Sequence, residues 1–286
     1  MKVLVSGAQG MLGRDLVPIL ADHGHQPIAT DRLEMDITDL ASVRERMERD
    51  RPDVVILCAA FTNVDACETE VDTAFLINGV GAQNVALACQ AHDVPLLYIS
   101  TDYVFDGTLG RAYRETDRPN PQSVYGQSKL AGEQFVQQLL DKFYIVRTSW
   151  LYGRHGKNFV ETMRKLGREK PELAVVADQH GSPTWTVPLS HTLARLIETG
   201  RYGIYHATGQ GETTWCDFTR KILELEGVDT PVRAITTAEL GRPAPRPAYS
   251  VLDNQHLRLI GQPLLPPWEE SLASYLALCP YEASVR

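Results

Sequence analysis

In the stretch "SVYGQSKLAGE" (123–133), Tyr125 and Lys129 stand four positions apart, just over one helical turn, so on a helix both side chains leave the same face. A phenol with its ordinary pKa of about 10 is a poor proton donor at neutral pH, and an ammonium beside it lowers that value by stabilising the phenolate. The spacing therefore describes an acid/base device, although an exposed helix with a chance Tyr and Lys reads the same way. Thr101 closes the apolar run "PLLYIS". A hydroxyl at the C-terminal end of a buried parallel strand lies where ligands bind in open α/β sheets, and it can donate a hydrogen bond to a carbonyl oxygen.

Such groups need a scaffold, and the first half of the chain supplies one. Short apolar runs ("KVLV", "QPIAT", "DVVIL", "PLLYIS") alternate with helix-length periodic segments ("GMLGRDLVPILADHG", "DLASVRERMERD", "VGAQNVALACQAHD"). Strand and helix in alternation imply right-handed crossovers and a doubly wound, Rossmann-like parallel sheet with helices on both faces. Strands apolar throughout, such as "DVVIL", fit a sheet covered on both sides. Beyond "FYIVRTSWLYG" prolines and glycines interrupt the pattern ("GSPTWTVP", "GRPAPRPAYS", "GQPLLPPW"). We expect a dinucleotide-binding domain over 1–150 and a smaller, irregular substrate lobe over 151–286, with some of its segments returning to the Rossmann core.

The chain of 286 residues, 43% hydrophobic and 22% charged, has the composition of a soluble globular protein, with no apolar run near the roughly 20 residues of a membrane span. "KVLVSG" directly after Met1 reads as a strand and not as a signal peptide, so a cytoplasmic protein is expected. Five cysteines without a CxxC suggest neither a disulfide framework nor a zinc knuckle, and eight histidines show no ligand spacing. A net charge of -8 argues against non-specific nucleic-acid binding.

"VLVSGAQGMLG" sets Gly7, Gly10 and Gly13 after the first strand and at the opening of a helix, with Met11 and Leu12 between them. Glycine lets the backbone approach a pyrophosphate whose charge the helix N-terminus stabilises. The spacing is GxxGxxG, a variant of the common GxGxxG. Asp31, just past the second strand, suits the ribose hydroxyls of NAD, while Arg32 beside it suits the extra phosphate of NADP, so NADH and NADPH both stay open. Asp36 and Ile37 fall where a loop can cover an adenine, and Asp36 reads equally well as an N-terminal helix signal.

Together, "GAQGMLG", "STDYVFDG" and "YGQSK" resemble the extended short-chain dehydrogenase/reductases, and more closely the dTDP-4-dehydrorhamnose reductase family. "RPDVVILCAAFTNVDACE", "RTSWLYG", "DQHGSPT" and "RPAYSVLDNQHL" follow in that family's order over nearly the whole chain. The resemblance implies reduction of the C4 keto group of dTDP-4-dehydro-β-L-rhamnose to dTDP-β-L-rhamnose by hydride from NAD(P)H. Thr101, Tyr125 and Lys129 would be catalytic, Tyr125 as proton donor and Lys129 also holding the nicotinamide ribose. Ala59, Ala60, Phe61 and Thr62 would line the cofactor, with Asn78 shaping a proton relay. Asp102, Tyr103, Trp150, Gln179, Pro183, Thr184 and Arg246 would face the nucleotide-sugar.

Relatives with other chemistry are separated by the residues beside Thr101. A 4,6-dehydratase of this superfamily reads Thr-Asp-Glu there, because elimination of water needs a second carboxyl; Tyr103 stands in its place. The Ser-Ser stretch usual before "VYG" in its epimerases is also missing. A non-catalytic regulatory subunit, like the beta subunit of methionine adenosyltransferase, and a reductase of another nucleotide-linked 4-ketosugar are the alternatives. Some members dimerise through magnesium held by acidic side chains; here Val187 occupies one such position, although Asp15 keeps another acidic. No bound metal and a monomer or weak homodimer are expected.

Overall fold

The computed structural model describes residues 1–281. Five strands, β1 (Lys2–Ser6), β2 (Gln26–Thr30), β3 (Val54–Leu57), β4 (Leu96–Thr101) and β5 (Phe143–Thr148), lie in the order β2-β1-β3-β4-β5, and the strand Gly203–His206 adds outside β5. Every neighbouring pair is parallel. The chain is therefore α/β with a doubly wound parallel sheet.

The strand side chains alternate between two apolar cores, as the two-residue period of a strand requires. Val3 and Val5, Val54 and Ile56, and Leu97 and Ile99 point to one face, where Leu12, Leu16 and Leu20 of α1 (Met11–Asp22) pack with Leu189 and Leu193 of the helix Thr186–Leu196. Leu4, Val55, Leu57, Leu96 and Tyr98 point to the other. There they meet Val43 and Met47 of α2 (Leu40–Asp50) and Ala82, Val85 and Ala86 of the helix Gly81–Ala91, with Val136 of the helix Val124–Leu139. Burial on both faces is why the central residues of these strands are apolar in succession.

The strand order reverses between β1 and β3. Connections leaving their C-terminal ends diverge to opposite faces, and a crevice opens there, the usual ligand position in such sheets. A third core, around Tyr152, Val160, Phe218, Ile222, Trp268 and Leu272, holds the C-terminal part together. Its strands are two to four residues long and pair across large sequence gaps, Leu151–Tyr152 with Thr184–Trp185 and His180–Gly181 with Thr213–Thr214. This part is interleaved with the sheet domain, because Thr186–Leu196 packs on α1 and Gly203–His206 completes the sheet. Among the described residues no helix is long and apolar enough to cross a membrane.

Candidate active site

The glycine turn forms because its backbone has no room for side chains. Gly7 has φ +72°, in the left-handed region, and a Cβ on it would stand 2.7 Å from the Ala59 backbone nitrogen. A Cβ on Gly13 would lie 2.6 Å from Cα of Ala8, so this glycine lets α1 start directly against the turn. Gly10 is the N-cap of α1 and offers no side-chain cap, which leaves the first-turn N–H groups free to meet an anion.

At the end of β2, Asp31 accepts hydrogen bonds from the N–H of Gln9 at 3.0 Å and of Arg32 at 2.8 Å. The Arg32 side chain is 83% exposed, with only Asp36 beside it at 3.4 Å. Asp36 closes a turn by accepting from the N–H (2.9 Å) and hydroxyl (2.7 Å) of Thr38, which holds its carboxyl below the usual range. The cap of α2 is Asp39, three residues later, so Asp36 serves the loop and not the helix start.

The reacting end gathers at the C-terminal edge of β4 and on Val124–Leu139. That helix begins at Ser123, whose hydroxyl accepts from the Gly126 N–H at 3.1 Å, and it buries Gly126, Ser128, Lys129, Gly132, Glu133 and Val136 along one face. Tyr125 and Lys129 thus enter the crevice one turn apart. Lys129 is 3% exposed; its Nζ donates to the carbonyl of Ile99 at 2.7 Å and lies 4.0 Å over the ring of Tyr98. Burial pulls its pKa down to about 7, opposed by the carboxylate of Glu133. Burial drives the Tyr125 phenol upward, with Thr101 pulling the other way, so the phenol stays protonated at neutral pH. The sequence reading had the ammonium lowering this phenol; here burial is the larger effect, and the amine bonds to a strand carbonyl.

Thr101 donates to Asp102 Oδ1 at 3.0 Å and accepts from the Tyr103 N–H at 3.2 Å. Asp102, 2% exposed, is pushed up to about 6 by burial against the opposing hydroxyls of Ser250 and Thr101. Tyr103 packs edge-on to Tyr125, ring centroids 5.5 Å apart. Trp150 has φ 48°, an uncommon conformation for a bulky residue, and stacks on Trp215 with centroids 3.4 Å apart and planes 6° from parallel.

These groups share one cavity of about 1020 Å³ that runs from the glycine turn to the two tryptophans. Its lining includes Gly7, Gly10, Met11, Leu12, Gly13, Asp31, Arg32, Asp36, Ile37, Ala59, Ala60, Thr62, Thr101, Asp102, Tyr103, Tyr125, Lys129 and Trp150. Six other residues singled out in the sequence lie outside the lining. Asn78 accepts from the Phe61 N–H at 2.8 Å and donates to its carbonyl at 3.0 Å, so the pair braces the loop that carries Ala59 and Ala60. Gln179 donates to Thr237 and accepts from the indole N–H of Trp215 at 3.2 Å, which fixes that ring. Thr184 is fully buried and accepts from the Gly209 N–H, with Pro183 buried beside it. Arg246 is tied to Asp65 at 3.0 Å, close to Tyr103.

Sequence reasoning missed Gln9, Thr38, Cys58, Lys157, Phe159 and Trp215 in the lining. Trp215 follows the cap Thr214 at a helix start, an aromatic at a loop-helix junction that was a usable signal. Val187, at the position considered for a metal, packs against two apolar cores, and Asp15 pairs with the Thr186 hydroxyl and with His155 at 3.6 Å. Among the described residues no cluster of three or more His, Cys, Asp or Glu side chains is placed to hold a metal ion.

The cavity suits a dinucleotide on physical grounds: a turn where a Cβ at Gly7 or Gly13 would clash, uncapped helix N–H groups, a carboxylate at the second strand and a long floor leading to buried Tyr and Lys. Comparison with known proteins agrees. Residues 1–279 match the family model described as the RmlD substrate binding domain. The chain is 46% identical over 284 residues to a dTDP-4-dehydrorhamnose reductase of Streptomyces griseus, covering 96% of this chain and 93% of the relative. It is 42% identical over 277 residues to a dTDP-4-keto-6-deoxy-D-glucose reductase of Streptomyces niveus, covering 96% of each. A crystal structure of dTDP-4-dehydrorhamnose reductase from Bacillus anthracis in complex with NADP superposes with a TM-score of 0.95 at 43% identity, over 97% of this chain and 99% of that one.

Proposed function

The chain belongs to the RmlD substrate binding domain family, and from that premise we propose that it is a dTDP-4-dehydrorhamnose reductase, which reduces the C4 ketone of dTDP-4-dehydro-β-L-rhamnose to dTDP-β-L-rhamnose with NAD(P)H. The observation that carries this reading is the meeting of Thr101, Tyr125 and Lys129 in the same cavity as the glycine turn and Asp31.

A bound dihydronicotinamide would supply the hydride; this chain's own residues supply the proton and the geometry. At the C-terminal end of β4 the Thr101 hydroxyl would turn its proton from Asp102 Oδ1 to the carbonyl oxygen. Tyr125, kept protonated by burial, gives its proton to that oxygen as the carbonyl becomes an alkoxide. Lys129 lowers the cost of the phenolate left behind. The glycine turn and the first turn of α1 would hold the pyrophosphate, Asp31 and Arg32 the adenosine ribose, and Ile37 would cover the adenine. We assign the sugar nucleotide to the lobe 151–286, where Trp150 and Trp215 present aromatic surface to the cavity. Asp102 and Tyr103 bound the sugar's reacting end, while Gln179, Pro183, Thr184 and Arg246 support that wall. The same reading gives a monomer or weak dimer with no metal requirement, and a cytoplasmic location.

A second reading, reduction of another dTDP-linked 4-keto-6-deoxy sugar, is favoured by the similarity to the Streptomyces niveus reductase. A steady-state panel crossing NADH and NADPH with dTDP-, UDP- and GDP-linked 4-ketosugars separates the two. The highest kcat/KM is expected for dTDP-4-dehydro-β-L-rhamnose; a preference for another sugar selects the second reading. Cofactor binding with no turnover on any sugar would point to a regulatory protein.

A further inference from the structure

Directly beneath the reacting groups the sheet domain buries a carboxylate and a guanidinium that line no part of the cavity. Glu133, 0% exposed, lies one helical turn beyond Lys129 on the same buried face. Its Oε1 accepts from the hydroxyl of Ser100 at 2.5 Å and from Nε of Arg147 at 2.9 Å, and its Oε2 accepts from Nη2 of Arg147 at 2.7 Å. Three donors thus converge on this one carboxylate. Arg147, on β5, lies 5.1 Å over the ring of Phe105. Its Nη1 stands 3.5 Å from Nε2 of His206, whose Nδ1 is 3.1 Å from the carbonyl of Tyr113. Burial holds His206 neutral, so Nδ1–H donates to the carbonyl and Nε2 accepts from Arg147.

Replacing a buried ion pair by apolar side chains is often neutral or stabilising, so the pair is weakly explained by stability alone. Lys129 supplies another reason. Lys129 and Glu133 leave the same buried helix face one turn apart and are held by neighbouring residues of β4, Lys129 by the Ile99 carbonyl and Glu133 by the Ser100 hydroxyl; Tyr98 of β4 and Cys58 from the end of β3 also face the lysine, with Arg147 of β5 behind Glu133. Glu133 is the carboxylate among them, and its charge works against the loss of the lysine proton that burial imposes.

We propose that Glu133, pinned by Arg147 and Ser100, is the positioning residue that keeps the buried Lys129 an ammonium, so that the lysine can act on Tyr125. This rests on the catalytic assignment above. Glu133 itself touches neither the cavity nor the reacting atoms. The guanidinium fixes the carboxylate in place through two hydrogen bonds.

The test is an NMR titration of the Lys129 side chain in the full-length protein, with Lys129→Met assigning the resonance, beside steady-state kinetics of the same proteins. In Glu133→Gln the Lys129 midpoint should fall by about one pH unit, with kcat at neutral pH down about fivefold and KM for the cofactor little changed. Glu133→Asp, which keeps the charge, should recover most of both. Glu133→Gln combined with Arg147→Met removes the unpaired guanidinium and restores folding if Glu133→Gln alone is unstable. Its Lys129 midpoint should stay low. A wild-type midpoint in that double variant, or equal damage from Asp and Gln, would overturn the proposal. The titration reads Lys129 whether or not the protein turns over, so it separates this inference from the catalytic reading.

Discussion

At the scale of single residues, the site is a set of ionisable groups whose proton affinities burial shifts toward the neutral form. Tyr125 keeps its proton, Lys129 is brought to about 7 and Asp102 to about 6. Asp102 makes a stability prediction. Folded Asp102 retains its proton up to about pH 6, whereas the reference carboxyl releases it at 3.8. Between those values the folded state binds more protons, so stability falls as pH rises, and the whole penalty is present above about pH 6. Asp102→Asn should therefore melt higher than wild type at about pH 8, with the gap closing below about pH 4; thermal melts across that range check it, and a gap independent of pH would contradict it. The Tyr-Lys spacing was legible because one helical turn fixes both residues. The direction of the Tyr125 shift was not, because it depends on the side chains that close over the phenol from β4 and from the turn around Tyr103.

At the scale of elements, the alternation of strands and helices was readable because each buried strand is an apolar run and each helix carries one apolar stripe. The glycine turn was equally local. The two-residue strands of the C-terminal part had no such signal: Leu151–Tyr152 and Thr184–Trp185 become strands only by meeting across more than thirty residues of chain. Lys157 and Trp215 reach the cavity through that long-range packing, so local pattern could not place them. The loop after β2 carries the next prediction. Both oxygens of Asp31 already accept backbone N–H groups, and Arg32 is exposed and only loosely paired with Asp36. A guanidinium so placed is available to a ribose phosphate. Arg32→Ala should raise KM for NADPH about tenfold while leaving KM for NADH nearly unchanged; equal effects on both cofactors would remove Arg32 from the phosphate.

At the scale of the whole molecule, one long cavity joins the sheet domain to the interleaved lobe, so dinucleotide and sugar nucleotide would meet end to end above β4. The weakening pattern of the sequence puts a boundary at about residue 150, whereas Gly203–His206 pairs with β5 and the helix Thr186–Leu196 packs in the sheet's first core. Their return was anticipated only in outline, since a single four-residue strand far along the chain has no distinctive pattern. Val187 is embedded in apolar contacts and Asp15 is paired with Thr186 and His155, and the proposed reading takes no metal at that position. Light scattering should give the same monomeric or weakly dimeric mass with and without chelator, and a dimer that a chelator dissolves would contradict this. The central claim is that Tyr125 delivers the proton to a nucleotide-linked 4-ketosugar held over a reduced nicotinamide. Its most direct test is NAD(P)H oxidation with dTDP-4-dehydro-β-L-rhamnose by wild type and Tyr125→Phe, with cofactor affinity measured in parallel. The account predicts turnover by wild type, and a variant slower by about 100-fold or more with cofactor binding nearly unchanged; a variant that turns over at the wild-type rate would contradict it.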